Sequence, residues 1–247
     1  MAQLAGTAAT MAWDSGLQRR AQDYYLLALR SAHAAGDTAF GANVLAGMAR
    51  QMLYGDRPQD ALELVRLAQD RVRATAGARL RAMLHTREAW AYAVMGRGTD
   101  FQRATGQAQE ALAATSLSDE PYWINYFDAA ELAGVTGGRL LELARQAPRE
   151  HALSAAEAIH TALEQRAPDA RRSYALDWIG LAECHFLVGD TTEAVRSTRQ
   201  AVNVAGLTQS ARVRHQLSRL YPYTVGREVP GSLREVRDQI RSLLAAA

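Results

Sequence analysis

Apolar residues recur at three- and four-residue intervals through most of the chain. Leu62, Val65 and Ala68, with Leu64 and Leu67 alongside, follow that rhythm, as do Trp178, Leu181, Ala182 and His185. Such spacing turns one side of a helix toward a core. No strand-like alternation runs long enough to predict a sheet. Regular marks interrupt the rhythm. Gly36-Asp37, Gly55-Asp56 and Gly189-Asp190 read as helix stops followed by a turn or N-cap, because glycine accepts left-handed backbone and aspartate caps the next N–H groups. All six prolines (Pro58, Pro121, Pro148, Pro168, Pro222 and Pro230) fall where a helix begins or just after one ends, where proline's missing N–H does no harm. The pattern predicts twelve helices, at 3–15, 18–35, 38–54, 58–75, 78–95, 100–114, 121–145, 149–164, 169–187, 191–204, 209–220 and 231–245.

The second helix of each predicted pair carries a small residue, a contact residue four further on, and a third, usually small, three beyond that. The instances are Ala21-Tyr25-Ala28, Ala61-Val65-Ala68, Ala104-Ala108-Ala111, Ala152-Ala156-Ile159 and Ala194-Thr198-Ala201, with first members 40, 43, 48 and 42 residues apart. These positions share one helix face, and small residues there let a partner helix approach closely. Trp178, Leu181, Ala182, Gly189 and Ala194 stand at the spacings of the tetratricopeptide (TPR) consensus. Tyr92 and Met95 before Gly96 take corresponding places in the third pair. The spacings exceed the roughly 34 residues of the ideal repeat, so longer connections are expected. The predicted fold is all-α: a TPR-like right-handed solenoid of about five helix pairs over residues 1–205, with C-terminal capping helices of the same domain over 206–247.

Composition and charge narrow the function classes. About one residue in five is alanine, which favours helix over strand. A chain of 247 residues buries a sizeable core without disulfides. The single cysteine, Cys184, makes no internal disulfide, which predicts a reducing, cytoplasmic setting. No apolar run approaches the roughly 18 residues of a bilayer span, and no basic start with an apolar stretch marks a secretion signal. No membrane association is therefore expected. The 28 cations against 26 anions leave +2, too balanced to point to nucleic acid. There is no lysine, which excludes Schiff-base catalysis by lysine; every strong cation is a planar, forked guanidinium.

One stretch from Leu4 to Leu53 carries Ala12-Trp13-Asp14-Ser15-Gly16, Ala21, Tyr24-Tyr25, Ala28-Leu29 and Ala32-His33-Ala34-Ala35-Gly36-Asp37, and continues into Val44-Leu45-Ala46-Gly47-Met48-Ala49-Arg50-Gln51. It resembles the C-terminal TPR-like sensor region of actinobacterial helix-turn-helix transcriptional regulators of the XRE type. Trp123-Ile124-Asn125-Tyr126-Phe127-Asp128-Ala129-Ala130-Glu131-Leu132-Ala133-Gly134 is similar to that family's W-x-x-Y-F-D-x-A-E-L-A-G block, and Val213-Arg214 through Val236-Arg237 resembles its ending. The resemblance covers nearly the whole chain. Two departures stand out. The DNA-binding domain that precedes the repeats in that family has no counterpart in this sequence, and the fourth pair is irregular, with Val135-Thr136-Gly137-Gly138 and Ala144-Arg145-Gln146-Ala147 in place of a Leu-Gly turn. The resemblance implies a sensing or docking role without direct nucleic-acid binding, and a homodimer by analogy.

In a stacked array the first helices of successive pairs line one concave face. The repeat phase places Thr10, Trp13, Asp14, Asn43, Arg50, Tyr54, Thr86, Arg97, Asp128, Glu131, Glu183 and Phe186 there. The predicted ligand-binding set is Trp13, Asn43, Arg50, Tyr54, Asp128, Glu131, Glu183 and Phe186, a mixture suited to a polar small molecule or short peptide. Asn43 is placed to pair with a backbone amide, Arg50 to clamp a carboxylate, and Trp13, Tyr54 and Phe186 to form walls. An Arg50–Glu131 salt bridge across repeats is expected. Two other functions fit the residues. One is a regulator-derived enzyme of a small-molecule (natural-product) biosynthetic pathway, using Asp128, Glu131 or Glu183 as acid–base carboxylates. The other is a protein-interaction scaffold.

The remaining motifs argue against other chemistries. The six histidines show no metal-ligand spacing, and there is neither C-x-x-C nor H-E-x-x-H, so no metal or cofactor is expected. In Glu183-Cys184-His185 adjacent helical residues point in different directions, and Cys184 reads as a small buried hydrophobe. No G-x-S-x-G elbow occurs, and Gly134 to Gly138 lacks the lysine and preceding strand of a phosphate loop. Arg212, Arg214, His215 and Arg219 read as a solvated face.

Overall fold

The computed structural model describes residues 1–114, 120–167, 169–226 and 230–245, so Pro168 lies outside the described residues. The described chain is all-α, without strands. Its helices are α1 (Ala2–Asp14), α2 (Gln18–Ala34), α3 (Thr38–Tyr54), α4 (Pro58–Arg71), α5 (Ala78–Val94), α6 (Gly98–Ala113), α7 (Ala129–Ala144), α8 (Pro148–Gln165), α9 (Arg171–Val188), α10 (Thr191–Ala205), α11 (Ala211–Leu220) and α12 (Gly231–Ala245). Short 3-10 turns stand at Tyr122–Ile124 and Tyr221–Thr224. The expected helix at 121–145 is thus two elements. Asp128 interrupts it, because its carboxylate accepts the Glu131 N–H at 2.8 Å and starts α7 there. Compactness divides the chain into two units, Met1–Leu132 and Ala133–Ala247, with the division inside α7.

Consecutive helices pack against each other, α1 on α2, α3 on α4, α5 on α6, and α9 on α10. The small-residue positions are the seams. Ala21, Ala28, Ala61, Val65, Ala68, Ala104, Ala108, Ala152, Ala194, Thr198 and Ala201 are all buried. In α8 the buried seam residue is Ala155, not the expected Ala156, which is partly exposed, so the face there steps by three residues.

Most of these pairs close through the same turn. The N–H groups of Leu17, Asp37, Arg57, Arg97 and Asp190 each return to a carbonyl five residues back. This six-to-one bond needs a left-handed residue just before the donor. Gly16, Gly36, Gly96 and Gly189 occupy that place, and Asp56 does so at φ 55°. At Gly55-Asp56 the left-handed residue is therefore the aspartate, not the glycine. Pro58 opens α4 and restricts the residue before it, which fixes the register of the turn; aspartate tolerates this backbone better than most residues. The irregular turn between α7 and α8 has no such bond: Gln146 and Ala147 both donate to Leu143.

Polar links tie α4, α5 and α6 together. Glu88 accepts from Gln69 at 2.9 Å and from the Tyr92 hydroxyl at 3.1 Å, with His85 Nδ1 at 3.4 Å. Burial pushes the Glu88 carboxyl up, but the hydrogen bonds from His85, Gln69 and Tyr92 outweigh it and hold the pKa at about 2. In unit 2, α11 and α12 cover the last pair, burying Val213, Leu217, Leu220 and Ile240 beside Ile179 and Ala201. Gly134 makes room there for the buried Arg166–Asp177 ion pair, because a Cβ at Gly134 would meet both side chains.

Two stability predictions follow from these contacts. At Gly137 a Cβ would lie 2.5 Å from Ile159 Cγ1 and 3.0 Å from the Ala155 carbonyl oxygen, whereas nothing lies within 4 Å at Gly138. Gly137→Ala is expected to destabilise by about 1–3 kcal/mol despite alanine's helix preference. Gly138→Ala on the same helix should gain up to about 1 kcal/mol; urea unfolding of both variants tests the contrast. Glu88 has a folded pKa of about 2, below its ordinary 4.5, so its stabilisation is present above pH 4.5 and is lost as pH falls from there toward 2. Glu88→Gln should lower stability at pH 7 by about 2 kcal/mol and flatten stability across that window in pH-resolved melting.

Candidate functional site

Within unit 1, one face of α3 is neither core nor outer surface. Asn43, Gly47, Arg50 and Tyr54 recur at i, i+4, i+7 and i+11, so they share a side, and all four are half-buried. The buried rings of Trp13 from α1, Tyr25 from α2 and Trp90 from α5 stand beside it. The Arg50 guanidinium lies 4.1 Å over the Trp13 ring, and its Nη2 donates to the Tyr25 hydroxyl at 3.2 Å. Tyr54 meets Trp13 edge-on at 5.1 Å and Trp90 edge-on at 5.2 Å, so three aromatic side chains from three first helices form one continuous wall. Gly47 permits this arrangement. A Cβ there would fall 2.6 Å from the Tyr25 ring and 3.0 Å from its hydroxyl oxygen.

The segment from Glu120 to Asp128 crosses the same layer. Tyr122 donates to Gln3 of α1 at 2.6 Å, Trp123 packs edge-on against Phe40 of α3 at 5.4 Å, and Arg79 at the start of α5 donates to the Asn125 carbonyl at 2.6 Å. Glu120 accepts the Arg79 N–H at 2.8 Å. Ile124 and Phe127 are fully buried anchors in the core. Tyr126, between them, is 52% exposed as a residue. Burial of its hydroxyl pushes its pKa up, against the opposing charges of Arg87 and Arg50. The W-x-x-Y-F-D block is therefore a strap across α1, α3 and α5, and only its continuation is helix.

The electrostatics centre on Arg50. Burial works against its charge, but Tyr25, Tyr126 and Tyr54 raise its pKa above the ordinary guanidinium value. Its Nε is shut off from solvent and has no hydrogen-bond partner. The expected Arg50–Glu131 bridge does not form: the Arg50 side chain bonds to Tyr25, and no carboxylate is among the groups acting on it.

The other expected site residues are placed as follows. Trp13, Arg50 and Tyr54 come together, and Asn43 lies two turns along the same face without a side-chain hydrogen bond to the described residues. Asp128 is exposed and caps α7, and Glu131 stands three residues on, at the position of a capping box. Thr86 is buried and bonds back to the Met83 carbonyl at 2.7 Å. Arg97 sits at the α5–α6 turn, 2.6 Å from Asp100 and stacked on Tyr92 at 4.8 Å. Glu183 and Phe186 belong to unit 2. Glu183 is 3% exposed and takes both Arg145 Nε at 2.7 Å and Arg145 Nη2 at 2.8 Å, with the Tyr223 hydroxyl at 3.2 Å. Phe186 stacks on Tyr223 at 5.6 Å. Cys184 is buried, and burial pushes its thiol up to about 12, which removes it as a nucleophile at neutral pH. No group of three His, Cys, Asp or Glu side chains among the described residues could hold a metal ion.

Sequence reasoning left Tyr25, Gly47, Arg87, Trp90 and Tyr126 out of the site. Gly47 was findable, since it lies on the Asn43–Arg50–Tyr54 face. The repeat phase places Tyr25 at a seam, and its hydroxyl reaches past that seam to Arg50. No protein-family model matches the chain, and no curated protein is significantly similar to it.

Gly47→Ala is expected to displace the Tyr25 ring, lose its contact with Arg50 and destabilise the protein by about 1–2 kcal/mol, overriding a helix gain of up to about 1 kcal/mol. Equilibrium urea unfolding checks this; a variant as stable as the parent would disprove the close approach.

Proposed function

We propose that this chain is a TPR-like recognition domain that binds a small molecule or short peptide on the inner helix layer of unit 1, like the sensor half of a helix-turn-helix regulator. One observation carries the reading. The α3 face presents an arginine, an asparagine amide and a tyrosine, all half-buried, against the Trp13–Tyr54–Trp90 wall and beneath the Tyr122–Asp128 strap. Ligand sites combine apolar walls with a few oriented polar groups in this way. The alternative of acid–base catalysis has less support. Glu183 is held by a two-pronged ion pair and Asp128 by a backbone N–H, so neither carboxylate is poised to exchange a proton with a substrate. The lone, inert Cys184 suits a reducing cytoplasm, and no described helix is long and apolar enough to cross a membrane.

Native mass spectrometry of the purified chain tests the reading. A non-covalent ligand is expected to be retained and released on unfolding, and the same spectrum reads the oligomer, expected by resemblance to be a dimer. Tyr54→Ala and Asn43→Ala should each reduce retention by about tenfold, a loss of about 1.4 kcal/mol. Failure of any metabolite extract to load the chain, or full retention by both variants, would overturn it.

A further inference from the structure

The first helix pair of unit 1 packs on α3 with one side and carries large apolar residues on the other. Toward α3, a Cβ at Gly6 would meet the Phe40 ring, Trp13 meets Tyr54, and Leu29 approaches Gly41. Leu4, Met11 and Leu27 each stand two residues from one of these, about 200° around the helix, and so face the opposite way. Leu4 is 74% exposed and Met11 65% exposed, with the half-buried Ala8 between them on the same side of α1. On α2, Tyr24 and Leu27 are exposed, as is Leu17 at its N-cap. Single exposed leucines are ordinary, but these five large residues share one side of a two-helix layer.

A second copy of the same face fits it. Along α1 the pattern Leu4, Ala8, Met11 is large, small, large, with Ala8 close to the midpoint. Antiparallel pairing of α1 with another copy's α1 therefore sets Leu4 against Met11 at both ends. Small side chains fall where the helices cross, which admits a close approach. α1 has no charged side chain before Asp14, so two copies meet there without repulsion or a buried unpaired charge. The five large residues present about 600 Å², the upper end for a monomer's largest apolar patch, and a stable pairing takes about 800 Å² per partner. Polar residues around them supply the difference. We propose that this chain pairs with a second copy of itself through the side of α1 and α2 turned away from α3, about a twofold axis near Ala8. The pairing face and the proposed ligand face share no residue, so either reading can fail without the other.

Sedimentation equilibrium of the full chain at micromolar concentrations tests it, with circular dichroism confirming that each variant is folded. The parent is expected to be a dimer. Leu4→Lys and Met11→Glu alter exposed residues, so the fold should stand. Each should weaken pairing at least about a hundredfold, because twofold symmetry repeats the buried charge at two contacts. An equal mixture of the two variants should pair again: one contact then joins the introduced ammonium to the introduced carboxylate, and the other is the parent's Leu4–Met11 contact. A second readout needs no charge. Ala8→Cys, treated with oxidised glutathione, should form a covalent dimer, since the residue lies near the axis and the buried Cys184 does not compete. Leu153→Cys, exposed in unit 2, should not. A monomeric parent leaves the face to some other partner and overturns the proposal. So does a dimer that survives both charged variants, a mixture that pairs no better than either variant alone, or an Ala8→Cys chain that cross-links no more than Leu153→Cys.

Discussion

Two helices approach closely only where neither places a large side chain between them, and alanine meets that condition at nearly every seam of this protein. Ala21, Ala28, Ala61, Ala68, Ala104, Ala108, Ala194 and Ala201 are all fully buried. Each methyl contributes little burial energy, about 0.8 kcal/mol per buried carbon. The constraint therefore moves the work of packing elsewhere. The bulky side chains gather on the first helices and the strap, where Trp13, Phe40, Tyr54, Trp90 and Trp123 form edge-on contacts between α1, α3, α5 and the crossing segment. In unit 1 a chain with few aromatics has thus placed many of them on the layer proposed to receive a ligand. Recognition and stability draw on the same rings.

Arg50 shows the cost of that arrangement. Stacking a desolvated guanidinium on tryptophan contributes about 2 kcal/mol, and the Tyr25 hydroxyl adds a charge-assisted hydrogen bond. Its partners are a ring face and a phenol rather than a carboxylate. Glu183 illustrates the opposite solution, with Arg145 on both its oxygens and Tyr223 closing the third side. An ion pair satisfied by the protein fixes a fold.

Much of the helix order was legible because its signals are local. Asp37 and Asp190 cap α3 and α10 as their sequence positions imply, and Pro58 and Pro148 stand at helix starts. The repeat phase was legible for the same reason: alanines at i, i+4 and i+7 need no partner to be recognised. Among the failures, one is a local bond hidden in the apolar rhythm and two are long-range. Asp128 reads as one polar residue inside an apolar-periodic run, and only its bond to the Glu131 N–H shows that the helix begins there. Tyr25 reads as a large residue at a small-residue seam, and only the bare Cα of Gly47, directly opposite its ring in the fold, explains how it fits. The pairing of Glu183 with Arg145, 38 residues apart, has no local signature at all.

The strap gives the resembling sequence block a physical meaning. If Trp123 to Asp128 were a helix like its neighbours, Ile124 and Phe127 would lie three residues apart on one face, and Tyr126 would point away from them. In the folded chain Ile124 and Phe127 are sunk in the core while the intervening backbone is held by Arg79. The Asp128 side-chain cap on the Glu131 N–H then ends the crossing and restarts the helix. On the proposed reading, this pattern of three aromatics, an aspartate and a glutamate places a cover over the inner layer. On the proposed reading, the block that most resembles the regulator family is the part of the chain that encloses the ligand. On that reading the repeats beneath supply the walls.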